Sequence, residues 1–202
     1  AQAAMARAES YGCQRFESRV GPNEKSIPAI RMPNGGLIYF TDEDFTRTAE
    51  FESDFISEAP ADEAGGLLTR IDHIAEALPE GQLDGWVLFY RAVLGLSPEE
   101  IFVLPDPYGL MRSKAVSNAE RTLRLPLNIS ESRNTATARS VTTYAGAGVH
   151  HIAFETGDIF AAARAMEAAG VPILKIPSNY YDDVAARFPV EDSLLEQMRS
   201  NN

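Results

Sequence analysis

The segment Gly146-Ala147-Gly148-Val149-His150-His151-Ile152-Ala153-Phe154-Glu155-Thr156 constrains this chain more than any other. It carries two of the three histidines in 202 residues. Its apolar run follows a glycine hinge and precedes a helical pattern, which predicts a buried strand over 149–155. Upstream, Arg70-Ile71-Asp72-His73-Ile74-Ala75 has the same shape, and the remaining histidine sits where His151 sits. One strand written twice, 78 residues apart, with a histidine at the same place, points to a fold of repeated units.

The rest of the chain falls into place around those two strands. Residues 1–12 read as a helix ended by Gly12, followed by a strand within 13–18. Residues 27–31 and 37–41 form a predicted hairpin, because Asn34-Gly35 supplies the positive φ that a tight turn needs. From Glu43 to Gly66 the composition turns acidic, with Pro60 and Gly65-Gly66, and reads as a linker. Phe45, Phe51 and Phe55 are expected to anchor it to a neighbouring surface.

At Leu67 the pattern restarts: a strand over 67–75, then an amphipathic helix over 82–94 with Trp86, Phe89, Tyr90 and Val93 on one stripe, stopped at Gly95. Three strands (101–104, 110–117 and 121–129) and a connecting helix (135–144) follow. The order is β-α-β-β-β. The second histidine strand then opens another unit, with Asp158 as N-cap of a helix closed by Gly170, a strand over 171–176, and helices over 179–188 and 191–199. The domain division expected is 1–42 as the tail of one module, 43–66 as an acidic linker, and 67–202 as a metal-binding domain whose last module is incomplete. A chain that opens at Ala1 without methionine is expected to be a piece of something longer.

Composition narrows the partners. A net charge of −11 excludes a nucleic-acid or anionic-membrane surface, both of which need concentrated positive charge. The basic residues between Arg112 and Arg139 alternate with apolar ones, as on a solvated strand face. One cysteine, Cys13, leaves no intramolecular disulfide and fits a reducing compartment. No apolar run approaches the ~18 residues of a membrane span. The expectation is a cytoplasmic protein.

Side chains alternate along a strand, so His151 shares a face with Val149 and Ala153, as His73 does with Ile71 and Ala75. His150 aligns with Asp72 on the opposite face. Neutral imidazoles at equivalent places in two repeats make a two-nitrogen ligand set for Zn, Fe, Ni or Cu. The plain alternative is a hydrogen-bonded core histidine in each strand; the duplication favours metal. A non-haem Fe(II) site also needs a carboxylate on the same face of the ion. Glu155 shares a face with His151 but lies about 13 Å along the strand at roughly 3.3 Å per residue. Asp72 and Glu76 are expected to point away from His73.

These motifs resemble the vicinal-oxygen-chelate superfamily (glyoxalase, bleomycin-resistance and dioxygenase-like), and within it the 4-hydroxyphenylpyruvate dioxygenase-like family. The residues that carry the resemblance are Ile71-Asp72-His73-Ile74, Phe89-Tyr90 with Leu94-Gly95-Leu96, Arg112-Ser113, Leu125-Pro126-Leu127-Asn128, the Gly146–Ala153 segment and Ile176-Pro177-Ser178-Asn179-Tyr180-Tyr181, in family order across most of 67–188. The hairpin Ile27-Pro28-Ala29 … Gly35-Gly36-Leu37-Ile38-Tyr39-Phe40 resembles the end of that family's first domain. The wording of Leu104–Leu110 and Asn128–Thr135 is similar to the branch in which such a domain is fused behind a bacterial 3-dehydroshikimate dehydratase barrel.

The resemblance implies an α+β fold of β-α-β-β-β modules forming a half-open barrel, incomplete at both ends. It implies His73 and His151 as ligands of Fe(II) or another divalent metal, with a glutamate from a later strand as the third. Ser113 and Asn128 fall where the family places polar substrate contacts; as plain residues they are a strand hydroxyl and a strand-end turn cap. The activity implied is dioxygenation with a small-molecule 2-oxo acid chelated to the metal. The protein partner implied is a second copy or a fused dehydratase domain. The sequence departs from the family within Asn134–Ala138, where the dioxygenases carry a glutamine. The rival reading is a non-catalytic module that supports assembly of a fused dehydratase. Ring-cleaving dioxygenation uses the same ligand types, but its motifs are not in this chain.

Overall fold

A computed structural model describes residues 1–22, 24–42 and 66–201. The predicted linker over 43–66, including Phe45, Phe51 and Phe55, lies outside the described residues except for Gly66. The described residues form two compact units, one holding 1–42 and 71–153, the other 66–70 and 154–201.

In the first unit, helix α1 (Gln2–Ser10) is followed by strands β1 (Arg15–Phe16), β2 (Ala29–Arg31) and β3 (Leu37–Tyr39), paired antiparallel in that order. The β2–β3 turn puts Gly35 at φ +84°, as the Asn-Gly signal requires. Met5 and Ala8 of α1 pack on Ile30 and Phe40.

The main sheet has five strands: β4 (Leu68–Ala77), β5 (Ser97–Asp106), β6 (Gly109–Ser117), β7 (Arg124–Ile129) and β8 (Gly148–Thr156). Their spatial order is β5-β6-β7-β4-β8. β5, β6 and β7 run antiparallel, while β4 joins β7 in parallel through Glu76 opposite Leu127 and Ala77 opposite Asn128. The parallel step requires a crossover, and helix α2 (Leu83–Leu94) supplies it. Leu83, Trp86, Tyr90 and Val93 recur at helical spacing and are buried, three of them against Leu125, Leu127 and Ile129 of β7. Burying each large side chain contributes about 1.5–3 kcal/mol. The helix ends at Gly95, where the Gly95 and Leu96 N–H groups donate to Arg91 and Tyr90 carbonyls. Helix α3 (Ala136–Thr143) begins at Thr135, whose hydroxyl accepts from the Ala138 N–H.

In the second unit, helices α4 (Ile159–Ala168), α5 (Ser178–Arg187) and α6 (Asp192–Ser200) account for most residues. The Asp158 carboxylate accepts the Ala161 N–H at 3.0 Å, the cap expected there. Arg199 of α6 pairs with Asp182 of α5 and stands over the Tyr181 ring at 5.5 Å.

The five described strands form one open, unclosed sheet, as the expected half-open α+β fold requires. Two expectations need correction. The strand expected over 171–176 carries no regular structure, because Pro172 and Pro177 lack the N–H groups a ladder would use at both ends. The second histidine strand is not buried: among the described residues β8 is the edge of the sheet, with a strand neighbour on one side only. Val149, Ile152 and Phe154 are each about half exposed, at 46%, 47% and 49%. β5 also extends past 101–104 to take in Pro98 and Pro105, tolerated because β5 is the other edge.

Candidate metal centre

β4 and β8 are neighbours in the sheet, and the two strands meet at their histidines. The Nε2 atoms of His73 and His151 stand 3.2 Å apart, with the rings edge to face. That is the spacing two nitrogens adopt when each lies about 2.1 Å from one ion. The donor set therefore fits two adjoining positions on a divalent metal. Among the described residues, no third His, Cys, Asp or Glu completes a group around such an ion. Glu155 is committed elsewhere, to Arg70 at 2.6 Å.

Two further groups reach the pair, neither of them expected from alternation along the strand. The Asp72 carboxylate accepts from His73 Nδ1 at 2.6 Å. A carboxylate on the far nitrogen of a ligating imidazole fixes its tautomer and raises its basicity. His150, placed on the opposite face by alternation, turns its ring so that Nδ1 lies 3.0 Å from Nδ1 of His151. Neighbouring side chains leave a strand on opposite faces, yet the two rings meet with centroids 5.1 Å apart. The hydrogen-bonding residue directly before each histidine (Asp72 before His73, His150 before His151) was the signal available in the sequence.

Burial, and after it the neighbouring His150 and His73, holds the His151 pKa below the usual histidine value. The neutral ring this favours is the form that can coordinate a metal.

The histidines open into a pocket of about 380 Å³ that also exposes Ser113 and Asn128. These two sit directly opposite each other across β6 and β7. Asn128 is buried, and its carbonyl accepts from the Leu78 N–H at 2.8 Å, so its backbone is fixed. Phe102, Leu104 and Met111 supply an apolar wall. Arg124, which the motif reading did not single out, stands in the same wall and donates to Glu99 at 3.1 Å. That bond is the main reason the Glu99 pKa falls below the ordinary carboxylate value. The pocket thus combines two imidazoles, two neutral polar side chains, one cation and an apolar wall. Such a set suits a small anion with an apolar or aromatic body.

Residues 70–193 match the family described as Glyoxalase/Bleomycin resistance protein/Dioxygenase superfamily. The chain is 48% identical over 199 residues to a 3-dehydroshikimate dehydratase of Pseudomonas aeruginosa, covering 98% of this chain and 31% of that protein. It is 30% identical over 203 residues to a 4-hydroxyphenylpyruvate dioxygenase of the same organism, covering 100% of this chain and 57% of that protein. A solved xylose isomerase-like TIM barrel/4-hydroxyphenylpyruvate dioxygenase fusion protein superposes with a TM-score of 0.77 at 48% identity, over 100% of this chain and 31% of the other. The chain therefore spans about a third of the dehydratases it matches and just over half of the dioxygenase.

Proposed function

This chain belongs to the Glyoxalase/Bleomycin resistance protein/Dioxygenase superfamily, and from that premise we propose that His73 and His151 hold a divalent metal, Fe(II) in the dioxygenase reading, at the floor of a pocket for a 2-oxo acid. The resemblance drawn from the motifs holds at the level of the family, in both its dioxygenase-like and its dehydratase-fused branches. The observation that carries the proposal is the 3.2 Å approach of two Nε2 atoms contributed by the duplicated strands.

When bound, such an ion supplies Lewis-acid and redox chemistry toward an oxo acid and O2. The chain's own residues do the rest. Asp72 holds His73 with Nε2 unprotonated. Ser113 and Asn128 offer hydrogen bonds to polar groups of the substrate, and Phe102, Leu104 and Met111 exclude water from its apolar part. The domain division at 43–66 belongs to this reading, with 67–202 as the metal-binding domain. No described helix is long and apolar enough to cross a membrane. A cytoplasmic location is supported by the single cysteine.

A second reading is favoured by the 48% identity to 3-dehydroshikimate dehydratases. In it the chain is a dioxygenase-like module of a fused dehydratase, and its role is assembly. Anaerobic Fe(II) titration of this chain and of the His73→Ala/His151→Ala variant tests the metal centre. Stoichiometric binding that disappears in the variant is the expected result; binding indifferent to both substitutions overturns it. Oxo-acid-dependent O2 uptake by the protein that contains this chain then separates the dioxygenase from the assembly module.

A further inference from the structure

Among the described residues, the wall of the histidine pocket holds a single side chain of fixed charge, Arg124, and no acidic one. Arg124 opens β7, with Pro126 and Asn128 at alternate positions on the same face. β4 runs parallel to β7, with Glu76 opposite Leu127 and Ala77 opposite Asn128. Following both strands back from there brings His73 level with Arg124. Asp72, the partner of His73, lies close enough for its charge to act on the guanidinium. Asn128, with Ser113 opposite it, is roughly 13 Å further along β7 at about 3.3 Å per residue. The guanidinium therefore stands at the histidine end of the pocket and the two neutral polar side chains at the other.

A wall arginine is often no more than a brace, and Arg124 does brace Glu99. Its Nε lies 3.1 Å from one carboxylate oxygen and its Nη2 3.1 Å from the other. Two features exceed that role. Glu99 also pairs with Arg121 at 3.3 Å, so two guanidiniums stand against one carboxylate and the cluster keeps one positive charge. Arg121 sits at φ +54°, in the left-handed region that side-chain-bearing residues rarely adopt. In addition, Glu99 takes up the Nε–Nη2 edge of Arg124 alone. Among the described residues Nη1 makes no hydrogen bond, which leaves the Nη1–Nη2 edge as a second fork. The side chain is 26% exposed, so that fork is accessible from the pocket.

We propose that Arg124 binds the carboxylate of the substrate through its Nη1–Nη2 edge, with Glu99 as the positioning residue that fixes the plane of the guanidinium, an inference that rests on the oxo-acid reading of this pocket. The carboxylate is the one full charge in that ligand class, and a planar fork matches both of its oxygens. The guanidinium keeps its charge across the pH range, so the anchor does not titrate. The pocket thereby selects an oxo acid over an aldehyde or ketone with the same apolar body. Ser113 and Asn128, at the far end, are left for a polar group on that body.

Isothermal titration of phenylpyruvate, an aromatic 2-oxo acid, into the Zn(II)-loaded protein tests the anchor. Arg124→Gln is expected to weaken phenylpyruvate binding about tenfold or more, as the loss of hydrogen bonds to a charged group does, while Zn(II) binds no more weakly than to the parent. Arg124→Lys, which keeps the charge without the fork, is expected to fall between the two. Unchanged phenylpyruvate affinity in Arg124→Gln overturns the anchor alone. So does a loss of Zn(II) binding in step with it, which is what removing a structural brace produces. If Arg124→Gln loses its cooperative melting transition, Arg124→Lys decides: weaker phenylpyruvate with Zn(II) affinity kept supports the anchor, and parent-like binding overturns it. A parent that binds no phenylpyruvate overturns the oxo-acid reading and the anchor with it. A parent that binds no Zn(II) overturns the metal reading; phenylpyruvate is then titrated into the metal-free protein, where the same order of affinities is expected and a different order overturns the anchor.

Discussion

The hydroxyl of Tyr90 on α2 donates to the carboxylate of Glu76 on β4, and both residues are buried, at 2% and 5% exposure. The second carboxylate oxygen of Glu76 has no partner among the described residues. Glu76 is three positions from His73, so it faces the helix side of the sheet while His73 faces the pocket. Burial raises its pKa against the opposing pull of the Tyr90 hydrogen bond. Burial, with the Glu76 charge adding to it, also raises Tyr90 above the ordinary tyrosine value.

A carboxyl whose pKa is higher folded than unfolded binds more protons in the native state. The protein therefore loses stability as pH rises from about 4.3 through the raised folded value. Glu76→Gln keeps an acceptor for Tyr90 and removes the buried charge. In urea unfolding at pH 8 the variant is expected to be more stable than the parent by about 1–3 kcal/mol, with the difference shrinking toward pH 4. Tyr90→Phe takes away the one donor and is expected to cost about 1–3 kcal/mol at pH 8.

Glu99 carries the opposite sign. The Arg124 hydrogen bond holds its pKa below the ordinary value, so its contribution is present above about 4.3 and is lost as pH falls through the depressed folded value. Glu99→Gln is expected to lower the melting temperature at pH 7 and to converge with the parent near pH 3. Equal differences at both pH values would overturn the assignment.

Gly109 begins β6 at φ +151°, and a Cβ there would lie 2.2 Å from Ser132 Oγ and 2.5 Å from Ser132 Cβ. No rotation of the serine clears its own Cβ, so the loop backbone must move. Gly109→Ala is expected to cost about 1–3 kcal/mol, read as a drop of several degrees in the melting temperature. Since Ser130 of this loop donates to the Leu110 carbonyl at 2.8 Å, amide exchange at the start of β6 is expected to accelerate in the variant.

Asp72→Asn tests the ordering of His73. An amide can donate to Nδ1, allowing the proton to sit on Nε2 and compete with the ion. Zn(II) affinity by isothermal titration is expected to fall about tenfold. An unchanged affinity would show that the carboxylate does not govern the His73 tautomer.

The parts of this fold that were legible in the sequence are those held by local chemistry. The stripe Leu83, Trp86, Tyr90 and Val93 with Gly95 behind it marked α2 to within one residue. Asp158 announced α4, and Asn34-Gly35 announced the β2–β3 turn. The pairing of His73 with His151 could be anticipated because duplicated strands place equivalent residues alike. The stretch over 171–176 failed for the converse reason: its apolar residues suit a strand, but strands exist through ladder bonds to a neighbour, and its prolines remove donors.

The sequence by itself determined the family, the repeated order of elements and the two histidines at matching positions, because each is written in periodicity, turn residues and motif spacing. Only the tertiary structure decided that β4 lies between β7 and β8, which brings the two Nε2 atoms to 3.2 Å. It also decided that Asp72 and His150 join them. Alternation along a strand says which face a Cβ leaves from; the rotamer, chosen by packing and hydrogen bonding across neighbouring strands, decides where the ring or carboxylate ends.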